Sequence, residues 1–181
     1  MYSRKFRQNL MERKLWLAKD RQSKALTKIY LGTPYFNEEQ KQRVEKAKDA
    51  LENNDTVAVV HFPFDFQYQE ATFDDPKEVF GTLIWQNATY QNDLSAMSTA
   101  DCGVFLYDLD QIDDGSAFEM GFMRALHKPV LVLPFSKNLD QKQLNLMIAQ
   151  GTTSFIESFE HLSNYDFNHF PSEPQTPIDV F

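Results

Sequence analysis

The chain has 181 residues, one cysteine, 42% hydrophobic and 24% charged residues, and a formal net charge of −8. That length allows one domain with a real core, while the acidic balance argues against the basic surface of a nucleic-acid binder. Cys102 alone excludes a disulfide framework or a multi-cysteine zinc site and fits a reducing compartment.

No apolar run reaches the ~20 residues that cross a bilayer, and the N-terminus lacks the apolar segment of a secretory signal. A cytoplasmic protein is expected, with neither nucleic acid nor membrane among its partners. Residues 1–27 stand apart by charge: eight Lys/Arg against Glu12 and Asp20 give +6, which leaves −14 for 28–181. Phe6, Leu10, Leu15, Trp16 and Leu17 are scattered among those charges. The segment reads as a basic extension, with a transit peptide, an interaction arm and a docked amphipathic helix all open. Met11 offers a second start. The functional domain is expected over 28–181.

From Lys28 the pattern alternates. Lys28–Thr33 reads as a buried strand closed by a glycine turn, and Asn37 with Gln40 marks the start of a helix running from Glu38 to Asn53. Val57–Phe62 is a second, β-branched strand. The segment Phe62–Pro76 is aromatic and aperiodic, as long functional loops are. Val79, Leu83, Tyr90, Leu94 and Met97 predict a helix over Lys77–Met97. Then follow a strand at Cys102–Tyr107, a helix at Ser116–Leu126, a strand at Val130–Leu133, a short helix at Gln141–Ala149, a strand at Ser154–Ile156 and a helix around Phe159–Tyr165. A proline-punctuated tail runs from Pro171 to Phe181. Strands separated by helices predict right-handed βαβ units and a sheet covered on both faces. The expected fold class is α/β, a flavodoxin-like or Rossmann-like three-layer fold with a five-stranded, mostly parallel central sheet.

Ligands of such folds sit at the carboxyl ends of the strands. No GxGxxG or GxxxxGK[ST] follows any strand, so a dinucleotide or P-loop site has no motif behind it. His61, His127, His161 and His169 show no ligand spacing. The informative segment is the acidic one after the third strand. Ser116-Ala-Phe-Glu119 has capping-box spacing, so Glu119 can simply tie back to its helix start. Alternatively, Glu119 stands on the first helical turn and aims at the strand-end cleft, where the positive helix end favours its ionised form. An ionised carboxylate beside a protonated one is the equipment for cleaving a bond to an anomeric carbon. Asp93, Asp113 and Asp114 are the available partners. Asp93, two turns beyond Trp85 and one beyond Thr89, lies beside an apolar helical row, where a charge costs free energy without a use or a partner. An exposed helix-end aspartate remains the alternative. Tyr35, Phe62, Phe64, Phe66 and Tyr68 offer either core packing or a stacking wall for a flat ligand.

Tyr30-Leu-Gly32, Ala88-Thr-Tyr-Gln-Asn-Asp-Leu94, Asp113-Asp-Gly-Ser-Ala-Phe-Glu-Met-Gly121 and Asn145-Leu-Met147 stand in the order and spacing of the nucleoside 2-deoxyribosyltransferases, which residues 28–181 resemble. The Gly-Ser-Ala-Phe-Glu form followed by Gly121-Phe-Met-Arg124 is similar to the purine-restricted branch.

The resemblance implies that Glu119 attacks C1′ of a 2′-deoxynucleoside, that Asp93 protonates the departing base and deprotonates the incoming one, and that Tyr30 orients Glu119. It further implies that Asp113 holds sugar hydroxyls, that Gly32 and Gln67 lie along the substrate, and that Asn145, Met147 and the C-terminal carboxylate of Phe181 complete sites, the first two in a neighbouring subunit. Purine 2′-deoxynucleosides and free purine bases are the implied substrates, a homohexamer the implied assembly, and no cofactor or metal is called for. Phe181 stands where the family usually ends in tyrosine. A hydrolase of deoxynucleosides or their monophosphates on the same fold, and a non-catalytic ligand-binding module, remain as rivals.

Overall fold

The computed structural model describes residues 27–72 and 78–172. The basic extension read over 1–27 lies outside them except for Thr27, which begins the first strand, and Phe181 lies outside them as well. The strands are β1 (Thr27–Gly32), β2 (Val57–His61), β3 (Cys102–Asp108), β4 (Val130–Phe135) and β5 (Ser154–Phe155). The helices are α1 (Glu38–Glu52), α2 (Leu83–Thr99), α3 (Asp114–Ala125), α4 (Leu146–Gly151) and α5 (Phe159–Asn164). The five strands form one sheet in the order β2-β1-β3-β4-β5, and every pairing is parallel.

The period-two alternation of side chains along each strand builds two cores. Ile29, Leu31, Val104, Leu106, Leu131 and Leu133 face Val44, Ala47 and Leu51 of α1 and Leu162 of α5. Tyr30, Phe105, Tyr107, Val130 and Val132 face Met97 of α2, Met120 and Met123 of α3 and Ala149 of α4. Helices therefore cover both faces, as expected for a three-layer α/β fold. The strand order places β1 and β3 side by side although α1 and β2 intervene in the chain, so a crevice opens at their carboxyl ends.

Local chemistry sets the element ends. Asn37 caps α1 by accepting from Gln40 N at 2.9 Å, while Gln40 Oε1 accepts from Phe36 N at 2.8 Å, one residue before the Asn37 N–H that a strict capping box would engage. Three expectations are corrected. First, Ser116 does not start α3. Asp113 is the cap, its carboxylate accepting from Gly115 N, Ser116 N and Ser116 Oγ. A carboxylate satisfies the orphan donors of a positive helix end better than a hydroxyl can. Second, α2 begins at Leu83 rather than Lys77, because Gly81 takes a left-handed φ of 80° and Thr82 caps Trp85 N. Third, the Gln141–Ala149 helix is interrupted. Leu144 turns into the core, and Asn145 restarts the helix by accepting from Met147 N. The second strand, β2, lies at the sheet edge with Ala58 and Val59 exposed. The aromatic segment after it folds into two 3-10 turns, Pro63–Phe66 and Tyr68–Glu70. No helix of the described residues is long and apolar enough to cross a membrane.

Candidate active site

The crevice holds a cavity of about 360 Å³ whose walls come from the end of β1, the aromatic turns after β2, one stripe of α2 and the start of α3. Glu119, Asp93, Asp113 and Gln67 all line it. Topology brings them together from three separate stretches of chain.

Tyr30, fully buried in β1, donates from its hydroxyl to Glu119 Oε1 at 2.7 Å. Burial, reinforced by the charges of Glu119 and Asp93, pushes the phenol far above its ordinary range, so it stays a donor. Gly32 is itself buried and off the cavity wall. A Cβ there would run into the ring of Phe105 and lie 2.9 Å from Glu119 Oε2. Its contribution is clearance for the Glu119 carboxyl rather than a contact of its own.

Glu119 is the sixth residue of α3, not on the first turn, so the positive helix end does not hold it ionised. Burial instead pushes its carboxyl up to about 8, the Tyr30 hydrogen bond pulling against this and the charges of Asp93 and Asp113 adding to it. Burial also pushes Asp93 up to about 6. Two carboxyls raised in one cavity hold about one proton between them near neutrality. The higher value is that of Glu119, so at rest the proton sits there, and attack on an electrophilic carbon by the Glu119 carboxylate requires that the proton pass to Asp93, which can then give it to the leaving group. Asp93 Oδ1 is buried with no hydrogen-bond partner among the described residues.

The aromatic wall is narrower than the sequence predicts. Tyr35, Phe62 and Phe64 line the cavity and pack on one another at 4.8 to 5.5 Å between ring centroids. Phe66 turns away to stack on His61 at 4.4 Å, and Tyr68 is not on the wall. Phe80 and Trp85, in contact at 4.3 Å, complete the wall and were not foreseen. The i, i+4, i+8 spacing of Trp85, Thr89 and Asp93 is the signal that finds Trp85. Three links pin the wall: Trp85 Nε1 donates to Gln67 Oε1 at 3.1 Å, Asn92 Nδ2 donates to Phe66 O at 3.0 Å, and Lys48 pairs with Asp65 at 2.7 Å.

Asn145 and Met147 lie elsewhere. Both are exposed at the start of α4, Met147 by 77%, and neither lines this cavity. Asp114 is exposed and also off it. Among the described residues no three His, Cys, Asp or Glu side chains are grouped to hold a metal ion.

The sequence model of the nucleoside 2-deoxyribosyltransferase family matches residues 29–163. A nucleoside deoxyribosyltransferase of Limosilactobacillus fermentum is 52% identical over 161 residues, covering 87% of this chain and 96% of that protein. A nucleoside deoxyribosyltransferase of Lactobacillus leichmannii is 30% identical over 142 residues, covering 77% and 89%. Among solved structures, a 2-deoxyribosyltransferase from Bacillus psychrosaccharolyticus superposes with a TM-score of 0.66 at 32% identity, over 78% of this chain and 94% of that one.

Proposed function

The chain belongs to the nucleoside 2-deoxyribosyltransferase family, and from that premise we propose that it exchanges purine bases on 2-deoxyribose by double displacement, through a covalent deoxyribosyl-Glu119 intermediate, in purine salvage. The observation that carries the reading is the pair of raised carboxyls, Glu119 and Asp93, in one aromatic-walled cavity.

Glu119 attacks C1′ from one face as the C1′–N bond to the base breaks, and the proton held by the pair reaches the base through Asp93. The second base attacks from the opposite face, Asp93 takes its proton, and two inversions return the β-anomer. The absence of a 2′-hydroxyl eases the oxocarbenium-like centre, which the nearby carboxylate stabilises and then traps. Tyr30 orients Glu119, and Asp113 holds sugar hydroxyls with the carboxylate edge its capping bonds leave free. A purine offers N7 to Asp93 and more stacking area to Tyr35, Phe62 and Phe64 than a pyrimidine does.

Self-association belongs to the same reading. Leu83, Ile84 and Tyr90 on α2, Phe118 on α3 and Leu146 and Met147 on α4 are large apolar side chains left exposed, as surfaces that meet a partner subunit are. A homohexamer, with Asn145, Met147 and the Phe181 carboxylate serving neighbouring sites, is the proposed assembly, and the cytoplasm its place. A monophosphate hydrolase fits less well: the N–H groups of Gly115 and Ser116, which a phosphate would need, are taken by Asp113.

The test is transfer of labelled adenine into deoxyinosine, run beside thymidine as donor. Exchange with deoxyinosine and little with thymidine is expected. Release of free deoxyribose alone would make the protein a hydrolase, and equal rates would retire the purine restriction.

A further inference from the structure

Trp85, Thr89 and Asp93 form one stripe of α2 along the cavity. Most hydrogen-bonding groups of this wall are already engaged. Trp85 Nε1 donates to Gln67 Oε1, and Gln67 Nε2 donates to Pro63 O at 3.0 Å. Two are not: Thr89 Oγ1 and Asp93 Oδ1 are both buried and have no hydrogen-bond partner among the described residues.

The threonine is the unexpected one. A helical hydroxyl ordinarily satisfies itself on the carbonyl one turn back. Ser95 and Thr99 of the same helix do so, at 2.8 Å to Gln91 O and 3.0 Å to Ser95 O. Thr89 does not. A buried, unpaired hydroxyl costs free energy, and its place one turn from Asp93 on the cavity wall gives it a use.

We propose that Thr89 is a base-binding residue, its hydroxyl engaging the substituent at C6 of the purine whose N7 faces Asp93. The inference deepens the function proposed above and rests on it. N7 and the C6 substituent are neighbours on the major-groove edge of a purine, as Thr89 and Asp93 are neighbours on the helix. A hydroxyl both donates and accepts. It donates to the 6-oxo group of hypoxanthine or guanine and accepts from the 6-amino group of adenine, so one side chain serves both classes.

The experiment compares Thr89→Val, which keeps the shape and loses the hydroxyl, with Thr89→Ser, which keeps the hydroxyl. Donors are deoxyinosine, deoxyadenosine and the 2′-deoxynucleoside of purine unsubstituted at C6. The readout is kcat/KM for each donor, variant over wild type, which in a double displacement reports the half-reaction that releases that donor's base. Thr89→Val is expected to lose about tenfold on the two 6-substituted donors, the scale of one hydrogen bond, and no more than about twofold on the unsubstituted one. Thr89→Ser should stay near wild type on all three. An equal loss on all donors, or none on any, overturns the assignment. Should Thr89→Val fail to fold, Thr89→Ala carries the same comparison. Failure of the wild type to exchange bases on any donor would instead strike the proposed function, so the two failures are distinct.

Discussion

The hydroxyl of Tyr30 and the carboxyl of Glu119 meet at 2.7 Å although 89 positions separate them in the chain. One is fixed inside a central strand and the other reaches in from the helix of the opposing layer. The bond favours the ionised carboxylate, against burial and against the charges of Asp93 and Asp113, which favour the protonated form. The Glu119 carboxyl, the proposed nucleophile, is thus held by a donor that stays protonated in the working range, in a site that keeps it only marginally charged.

A covalent sugar should therefore be found on Glu119. Enzyme mixed with a slow 2′-fluorinated donor and digested should show the added mass on the peptide containing Glu119. An adduct on Asp93 or Asp113 would sink the assignment. Glu119→Gln should lose at least ~10³-fold in turnover while remaining folded, as removal of an activated nucleophile does.

The pH dependence follows from the shared proton. With Asp93 raised to about 6 and Glu119 to about 8, the pair is doubly protonated on the acid side and fully ionised on the alkaline side. Turnover needs the state between, so kcat/KM for deoxyinosine should trace a bell with its optimum between about 6 and about 8. Tyr30→Phe removes the bond that favours the carboxylate, so it should move the alkaline limb upward and lower the plateau. An unmoved alkaline limb would show that the phenol does not tune the pair.

Stability should fall steadily across the range in which activity rises and then falls. A carboxyl whose folded pKa lies above its unfolded value binds its proton more tightly in the native state, so native stability declines as pH rises through that interval. For Asp93 and Glu119 the interval spans about 4 to about 8. Glu119→Gln replaces the group that is costly to ionise with a neutral one of the same shape. Its melting temperature should exceed that of the wild type at pH 8 and approach it at pH 4. A variant less stable than the wild type at both pH values would contradict the burial argument.

Gly32→Ala should harm the site more than the fold. The added Cβ meets the Phe105 ring and stands 2.9 Å from Glu119 Oε2. Overpacking of this kind costs about 1–3 kcal/mol, which thermal melts would measure, and relief of the clash displaces the carboxyl. Exchange should fall at least ~10²-fold, because small misplacements of a reacting group cost that much. Near-wild-type exchange would mean that Glu119 tolerates a shift the geometry forbids.

The sheet was legible in the sequence because the apolar runs at 28–33, 102–107 and 130–133 are too short for helices and too apolar for loops. The carboxylates were legible as candidates, but their setting was not. Ser116 and Glu119 have capping-box spacing, yet Asp113, three residues earlier, makes a stronger cap, and spacing alone cannot choose between two residues that both suit an N-terminus. That choice moved Glu119 to the second turn and reversed its electrostatics. In the segment after β2 nothing periodic tells which rings face inward. Phe64 lines the cavity and Phe66, two residues on, stacks on His61. Thr89 shares the Trp85–Asp93 stripe that spacing reveals, but nothing in the sequence tells how its hydroxyl is bonded. Its interest lies in a hydrogen bond it does not make.

The division of the site among β1, α2 and α3 has a consequence for the life of the chain before it is native. Tyr30, Asp93 and Glu119 converge only when β1 has skipped past α1 and β2 to pair with β3. A nascent or partly unfolded chain can hold any one of them in local structure without the other two. The chemistry proposed for them therefore belongs to the finished sheet and to no one element, so a copy whose β1 has not yet paired with β3 would be inactive toward nucleosides.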